Sequence, residues 1–311
     1  MKQKLGIPYM GSKRKLSNAI LSEITQRHSN ITDLYDLFGG GGSVSFTAIR
    51  DYRFNVHYNE LNRHIYCLVE YLKNNKELEP KFYEWVTREE FFNQVGKSND
   101  EADWYSGFVM SCWSFGNNSE KGYMYGAHIE ENKRLAHEFV VNGCLQSMCD
   151  LGLYIPELKD IVDFNKRRLV FCNYIDKNEK TLQYSEMIHI SRLEHLTSIQ
   201  NLQNLQNLQN LHISNSSYEK VQITGENTII YCDIPYKGTG EYKEGGFDHE
   251  SFYKWFENLP YPAYLSEYDA PFEVVASFAH RSSLSATNNK KKTIEKLFWN
   301  GKGEINKYKL F

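Results

Sequence analysis

The chain has 311 residues, 41% of them hydrophobic, and a formal net charge of −3. This length suits one large α/β domain with an insert, or two domains, and the composition can bury a core. The net charge does not by itself indicate a nucleic-acid binder. Basic side chains are concentrated in two segments, at 1–15 and 290–311. Local patches of this kind attract a phosphate backbone, although a solvated tail would have the same composition.

The cysteine and histidine patterns argue against several kinds of site. None of the six cysteines forms a C-x-x-C pair, and the ten histidines include no H-E-x-x-H motif. We therefore expect no metal, and reduced thiols in a cytoplasmic protein without a signal peptide. No apolar stretch approaches the ~20 residues that span a bilayer.

The N-terminal segment 7–13 predicts a loop, with Ser12 as a candidate cap for the helix that follows. Leu16, Ile20 and Ile24 lie on one face of that helix because they recur every four residues. The helix should pack against a core through this face.

A strand, a glycine turn, a helix and a second strand come next. The first strand covers 33–38 and leads into Gly39–Gly42, and the second covers 54–58 and ends near Glu60. This order is the first half of a doubly wound sheet. The glycines normally receive an adenosine-containing cofactor. The dinucleotide pattern is poor because Val44 stands at its third glycine, and Glu60 could hold the ribose of NAD or of S-adenosylmethionine.

The middle of the chain changes character. Residues 71–140 are helical in tendency, with a polar loop at 114–122, and residues 190–211 place Ile or Leu at every third position. A period of three suits neither an α-helix nor a strand. It fits a 3₁₀-helix, a leucine-rich coil or a half-ordered, slippage-expanded insert, and a protein-interaction module is a further interpretation.

A tetrapeptide after the apolar run 228–232 is the most informative motif. The run predicts a buried strand, which Pro235 must end because proline cannot donate to a ladder. Asp233, Ile234 and Tyr236 therefore present a carboxylate, a free carbonyl and an aromatic ring where ligands bind in α/β sheets. An exocyclic amine needs acceptors and a stacking surface, so the motif indicates amino methylation of a nucleobase.

The last part of the chain returns to α/β character. A Gly-rich loop at 237–246 precedes a predicted helix over 249–258 and a strand over 263–265. The apolar runs 272–278 and 296–299 predict a final antiparallel hairpin.

Four motifs, in this order, resemble those of the Dam-like (D12 class) DNA adenine-N6 methyltransferases, especially the phage-encoded branch. They lie at 9–13, 36–43, 59–60 and 233–236. The resemblance covers roughly residues 5–70 and 218–300. It implies a Rossmann-like class I methyltransferase sheet of the α/β class with an inserted, mainly helical target-recognition domain. The implied parts are 1–70 and 218–311 for the catalytic domain and 71–217 for the insert with its Leu repeat.

The resemblance also implies roles for individual residues. It implies S-adenosylmethionine as cofactor, and as substrate double-stranded DNA whose target adenine is flipped out. The implied catalytic residues are Asp233, Ile234, Pro235 and Tyr236. The implied cofactor residues are Tyr9, Gly11, Lys13, Asp36, Gly39, Gly41 and Glu60. We expect DNA contacts from Asn117, Asn118, Lys121, Tyr123 and Tyr125, and from Lys166, Arg167 and Arg168, and we expect His249 only to cap a helix.

One residue departs from the family pattern. Ile234 stands where the family usually has Pro, and Asp-Ile-Pro-Tyr is similar to the Asn-Ile-Pro-Tyr of ribosomal-RNA adenine dimethylases. Ile should still serve, because this position contributes its carbonyl. Three alternatives stay open: a catalytically idle DNA-binding decoy with the same fold, an RNA adenine-N6 methyltransferase, and an NAD-dependent oxidoreductase.

Overall fold

The computed structural model describes residues 5–118, 121–178, 194–237, 246–281 and 292–303. Some predicted features lie outside these ranges. They are most of the Gly-rich loop at 237–246, the start of the repeat at 190–193, and parts of both basic segments.

A seven-stranded sheet forms the centre of the described fold. Its strands are β1 Asp33–Asp36, β2 Asn55–Asn59, β3 Leu211–Ser214, β4 Thr228–Cys232, β5 Ala263–Glu267, β6 Glu273–Arg281 and β7 Lys292–Trp299. Their order is β3-β2-β1-β4-β5-β7-β6. The first five strands are parallel, and β7 enters antiparallel between β5 and β6. This arrangement confirms the predicted Rossmann-like α/β sheet and its final hairpin.

Ten α-helices surround the sheet in the part of the chain that the structure describes. They are α1 Ser17–Arg27, α2 Ser43–Thr47, α3 Arg63–Asn74, α4 Arg88–Val95, α5 Trp104–Cys112, α6 Ala127–Asn142, α7 Leu145–Asp150, α8 Phe164–Lys177, α9 Glu194–Gln203 and α10 His249–Asn258. Side-chain caps fix several starts, such as Asn62 on α3 and Asp248 on α10. None of these helices has both the length and the apolar character to cross a membrane.

The predicted cap of α1 is wrong. The helix begins at Ser17 after Leu16, without a side-chain cap. The Ser12 hydroxyl instead lies 2.9 Å from the Ser43 hydroxyl, which joins the N-terminal loop to the start of α2. The predicted apolar face is present, since Ile20 and Ile24 are buried.

The central strand β4 is buried on both faces, which explains its unbroken apolar sequence. Ile229 and Tyr231 face the larger core, which also contains residues of α1, α2 and α3. Ile230 and Cys232 face a smaller core that is covered by α10. The motif that follows β4 is thus anchored from both sides.

The helices α3 to α9 share one aromatic-rich core with the larger face of the sheet. Among its fully buried members are Phe82, Phe91, Phe108, Phe139 and Phe171. The chain returns to the sheet at Leu211, because β3 pairs with β2. The sheet therefore resumes inside the segment 71–217 that the sequence assigns to the insert. The predicted end of the insert, residue 217, lies several residues beyond the start of β3.

The described part of the Leu repeat contains one short helix and one strand. Residues of α9 at a spacing of three, Leu196, Ile199 and Leu202, are all buried. Successive residues at this spacing rotate by only about 60° around an α-helix, so over three repeats they stay on one face. The chain then passes through a 3₁₀ turn, Leu208–Asn210, into β3. A leucine-rich coil is therefore not what these residues form.

We expect Ile199→Ala to destabilise the protein by about 2–5 kcal/mol, because Ile199 is fully buried between α9 and the helical core. Leu205→Ala, at a half-buried repeat position beyond the helix, should have a smaller effect. Urea unfolding of both variants measures the difference. Equal and small losses would mean that α9 is peripheral to the fold.

Candidate active site

The carboxyl ends of the parallel strands meet at one edge of the sheet. Strand order changes direction between β1 and β4, because the chain continues to β2 on one side and to β5 on the other. In open α/β sheets ligands bind at such a switch point. Two of the predicted motifs lie at this edge: Gly39–Gly42 begins three residues after the end of β1, and 233–236 follows β4 directly.

Asp233 forms a short ion pair with a residue 220 positions away. The Lys13 ammonium lies 2.6 Å from the Asp233 carboxylate, and it also donates to the Gly11 carbonyl at 3.3 Å. Lys13 is buried, whereas the Asp233 side chain retains 19% of its exposure. Sequence reasoning predicted Lys13 beside the cofactor, and the structure places its charge against Asp233 of the motif at 233–236.

Two further groups surround the Lys13 ammonium. It lies 4.7 Å from the centre of the Tyr236 ring and 3.5 Å from the carboxylate of Glu295 on β7. Glu295 was missed from the sequence. Nothing in its basic, polar surroundings marks it, and the pairing of β7 with β5 and β6 brings it to this edge.

Burial raises the pKa of Asp233 to about 6; Lys13 opposes this rise and Glu295 adds to it. The pKa of Lys13 is raised above its ordinary value, because Asp233 and Glu295 together outweigh the burial that disfavours its charge. Above pH 6 the pair is therefore an ammonium facing a carboxylate.

Ile234 and Pro235 have separate roles in shaping the motif. The Ile234 side chain is buried in the smaller core among residues that include Phe252 of α10. Substitution of the family proline therefore places an apolar side chain away from the site and leaves the backbone carbonyl in place. The Pro235 carbonyl accepts a hydrogen bond of 2.9 Å from Nε2 of His249.

Tyr236 is half-buried, and its ring meets that of Tyr268 edge-on, with centroids 4.6 Å apart. Burial raises the pKa of its hydroxyl far above the ordinary value, and the negative charge of Asp233 adds to the effect. The phenol is therefore neutral at any physiological pH and offers a ring rather than a base.

The glycines after β1 are required by neighbouring protein atoms. A Cβ on Gly39 would lie 2.1 Å from the Tyr58 ring, and one on Gly41 would lie 2.4 Å from the Ile7 carbonyl oxygen. Tyr9 covers this turn from the N-terminal loop, with its ring next to Gly40. The predicted cofactor glycines thus fit a tight turn, and the turn brings Tyr9 to the same edge.

Asp36 closes β1 as a buried carboxylate. Its Oδ2 accepts a 2.6 Å bond from the Ser45 hydroxyl, and its buried Oδ1 has no hydrogen-bond partner among the described residues. Burial raises the pKa of Asp36 to about 7; Ser45 opposes the rise, and the nearby charges of Asp233 and Glu60 add to it. An unpaired buried oxygen is costly, so it marks a position suited to a cationic or hydrogen-donating ligand.

Glu60 lies beside the glycine turn. Its two carboxylate oxygens accept from the backbone N–H groups of Gly40, at 2.6 Å, and Asn62, at 2.8 Å. Burial raises its pKa, and these two bonds oppose the rise. Each oxygen can accept a second hydrogen, so Glu60 can still accept ribose hydroxyls while it holds the turn.

The edge as a whole is acidic. Its buried or half-buried carboxyl groups are Asp36, Glu60, Asp233, Glu267 and Glu295. Lys13 contributes a single positive charge to this cluster. A site with this balance attracts a cation more strongly than a neutral molecule of the same shape.

The predicted DNA-contact loop is the tip of a small hairpin. Ser114 and Tyr123 form an antiparallel bridge, and the Phe115 N–H donates to the Gly122 carbonyl at 2.9 Å. We call the described residues of this hairpin, 114–118 and 121–123, the 114–123 hairpin. Asn117, Asn118 and Lys121 lie at its tip, and Asn118 contacts the sulfur of Met10 at 3.3 Å. The hairpin therefore borders the N-terminal loop that carries Lys13.

Tyr123 and Tyr125 are misassigned as DNA contacts. Both are buried: the Tyr123 hydroxyl donates to the Val86 carbonyl at 2.6 Å, and the Tyr125 ring stacks on Trp85 at 5.4 Å. Arg167 is misassigned too, because its guanidinium is buried and bonded to backbone carbonyls. In sequence, aromatic and basic residues near a polar loop are compatible with DNA contact and with packing in the core. Their burial in the structure shows that these three residues belong to the core.

A mostly parallel sheet in this strand order, with a glycine turn after its first strand, has the architecture of a Rossmann-like methyltransferase fold. Residues 9–146 match the sequence model of the D12 class N6 adenine-specific DNA methyltransferase family. This match confirms the resemblance to that family over the part of the chain that carries the motifs at 9–13, 36–43 and 59–60. No curated protein matches the chain. The phage-type branch stays a prediction.

Proposed function

We propose that the protein transfers a methyl group from S-adenosylmethionine to N6 of a flipped-out adenine in a specific DNA sequence. The observation that carries this proposal is the position of the Lys13 ammonium. It donates to Asp233 and lies over the ring of Tyr236, which are the two interactions that an adenine amine would need. A nitrogen donor is already accommodated there.

Three features support S-adenosylmethionine as the cofactor. The unpaired oxygen of Asp36 suits an ammonium, Glu60 can accept ribose hydroxyls, and a Cβ on Gly11 would meet no atom within 4 Å. S-adenosylmethionine carries a net positive charge that its demethylated product lacks, so an acidic edge favours the loaded cofactor over the spent one. When bound, it supplies an electrophilic methyl group.

The residues of the motif would activate the amine. The Asp233 carboxylate and the Ile234 carbonyl accept the two N6 hydrogens, which stabilises positive charge as it develops on the nitrogen. Tyr236 stacks on the adenine and holds the amine in line for attack. For adenine to enter, Lys13 has to leave Asp233, and Glu295, 3.5 Å away, offers it another acid.

DNA contacts would come from the tip of the 114–123 hairpin. Asn117 and Asn118 can pair with base edges, and Lys121 with a base edge or phosphate. Asn118 of this hairpin contacts Met10 of the loop that carries Lys13, so DNA bound at the hairpin tip would lie close to the site of chemistry. We assign sequence recognition to the helical segment between β2 and β3.

Two measurements test the function. Titration calorimetry should show binding of S-adenosylmethionine and none of NAD. Labelled methyl should then pass to duplex DNA and be recovered as N6-methyladenine, with no transfer to RNA. Cofactor or DNA binding without transfer would indicate a catalytically idle decoy, and transfer to RNA would indicate the RNA enzyme.

We expect Lys13→Met to move the acid limb of the kcat/KM profile to higher pH. Asp233 must be ionised to accept the N6 hydrogens, so activity falls as pH drops through its pKa of about 6. The Lys13 ammonium lowers the pKa of Asp233, so its loss raises that pKa. The midpoint of the acid limb should therefore move to higher pH by about one to three pH units. Lys15→Met, at an exposed lysine two residues away, is the control and should leave the limb in place. An unmoved limb in Lys13→Met would contradict the pairing.

A further inference from the structure

The motif at 233–236 is held by two side chains that the activity itself does not explain. Nε2 of His249 lies 2.9 Å from the Pro235 carbonyl oxygen. The N–H of Lys237 donates to Oε2 of Glu267 at 3.2 Å. These bonds fix the peptide planes on either side of Tyr236. The plane before it is held through the Pro235 carbonyl, and the plane after it through the Lys237 N–H. With both planes fixed, the backbone torsions of Tyr236 are fixed as well.

The two side chains also approach each other. Nε2 of His249 is 4.0 Å from Oε2 of Glu267, so the acid faces the same ring nitrogen that serves Pro235. A carbonyl can only accept, and this nitrogen must therefore carry the hydrogen. The Glu267 carboxylate favours that state because it lies beside the N–H dipole.

Each member of the pair is itself anchored. Glu267 is the last residue of β5, is 1% exposed, and accepts a second bond of 2.7 Å from the Tyr268 N–H. His249 is the first residue of α10, and its ring packs edge-on against Phe247 at 5.0 Å. Asp248, not His249, caps the helix by accepting from the Ser251 N–H. The prediction that His249 caps this helix is therefore wrong.

We infer that His249 and Glu267 are positioning residues that hold the Tyr236 ring in place for stacking on the target base. The inference rests on the proposed function of Tyr236. A ring displaced by about 1 Å at a reacting centre can lower a rate by about 10²-fold. The pair touches neither Asp36 nor Glu60 in any described contact, so cofactor affinity should be independent of it.

The test compares His249→Phe, His249→Gln and Glu267→Gln with the wild type. Phe keeps the ring and removes the donor, whereas a Gln at 249 can still donate. At 267, Gln keeps one acceptor and loses the other. We expect kcat on unmethylated genomic DNA to fall about 10²-fold in His249→Phe and Glu267→Gln, with recovery in His249→Gln. The dissociation constant of S-adenosylmethionine should stay within about twofold of the wild-type value. Loss of the fold would instead weaken S-adenosylmethionine binding in these variants.

Hydrogen exchange gives a readout that does not depend on activity. The peptide that covers 233–237 should exchange faster in His249→Phe than in the wild type. Tyr253→Phe, one turn along α10, removes a buried hydroxyl with no hydrogen-bond partner in the described chain and is the matched control. If this peptide exchanged at the wild-type rate in His249→Phe, the inference would be overturned even if that variant were inactive. An active wild type with unchanged kcat in His249→Phe would overturn it as well, and a wild type without activity would instead contradict the proposed function.

Discussion

Asp233→Asn is expected to lower kcat by about 10³-fold and to leave binding of S-adenosylmethionine within a few-fold of the wild type. The substitution keeps the shape of the side chain but replaces one acceptor oxygen with an NH₂ group. That group would face the N6 hydrogens with donors of its own. Removal of one preorganised electrostatic partner of a developing charge typically lowers kcat by about 10²–10³-fold, and Asn adds an unfavourable donor.

Lys13 adds to the expected loss. Its ammonium is buried and pairs with Asp233 at 2.6 Å, so the Asn variant leaves it with Glu295, which lies 3.5 Å away. An ammonium that turns to Glu295 still stabilises the fold, and we expect the variant to fold. Single-turnover methyl transfer and calorimetry measure the two effects separately. Asp269→Asn is the control, because the Asp269 side chain is 91% exposed on the loop that follows β5. Activity of Asp233→Asn within tenfold of the wild type would refute the role of the carboxylate.

Asp36→Asn is expected to stabilise the cofactor-free protein and to weaken S-adenosylmethionine binding by about 10–100-fold. The folded pKa of Asp36 is about 7, above its unfolded value of 3.8. Between these values the folded protein holds a proton that the unfolded chain releases, so stability falls as pH rises from about 4 to 7 and then stays level. Each pKa unit corresponds to about 1.4 kcal/mol, which gives a gain of roughly 2–4 kcal/mol for Asn at pH 8.

The loss of affinity follows from the same carboxylate. A hydrogen bond to a charged group contributes about 1.5–3 kcal/mol, and the unpaired Oδ1 of Asp36 would make such a bond to an ammonium. Urea unfolding at pH 8 and pH 4.5 tests the stability, and the gain at pH 4.5 should be only about a quarter of the gain at pH 8. Calorimetry tests the affinity.

Asp33→Asn, at the other end of β1, is the matched control. Burial raises the pKa of Asp33, but hydrogen bonds from Thr32 and His57 lower it further than burial raises it. Asp33→Asn should therefore slightly destabilise the protein and leave the affinity for S-adenosylmethionine unchanged. If Asp36→Asn lost stability at pH 8, or bound S-adenosylmethionine normally, the assignment of Asp36 would be wrong.

Local sequence predicted the parts of the fold that depend on local chemistry. The apolar run before Asp233 matches β4, Thr228–Cys232, and the predicted helix over 249–258 matches α10. Both have strong local signals, a buried strand ended by proline and an amphipathic helix, although the helix is capped by Asp248 rather than by the predicted His249. The glycine turn was also predictable, although its cause is the Tyr58 ring and the Ile7 carbonyl rather than a ligand.

The parts that local sequence could not predict depend on contacts across the chain. Lys13 reaches Asp233 across 220 positions, and Glu295 reaches the site only through the register of β7 against its neighbours. Tyr123 and Tyr125 have the composition of a base-stacking surface, yet packing against α4, α5 and Trp85 decides that they are core. The period of three at 190–211 had no single interpretation, because a short α-helix tolerates it over only a few repeats.

The most direct test of the central claim is incubation of unmodified genomic DNA with the protein and S-adenosylmethionine. Nucleoside mass spectrometry and modification-aware sequencing then identify the product and its position. We predict N6-methyladenine at one short sequence motif, and none with Asp233→Asn. A wild-type protein that binds S-adenosylmethionine but leaves every adenine unmodified, or that modifies another base, would contradict the account.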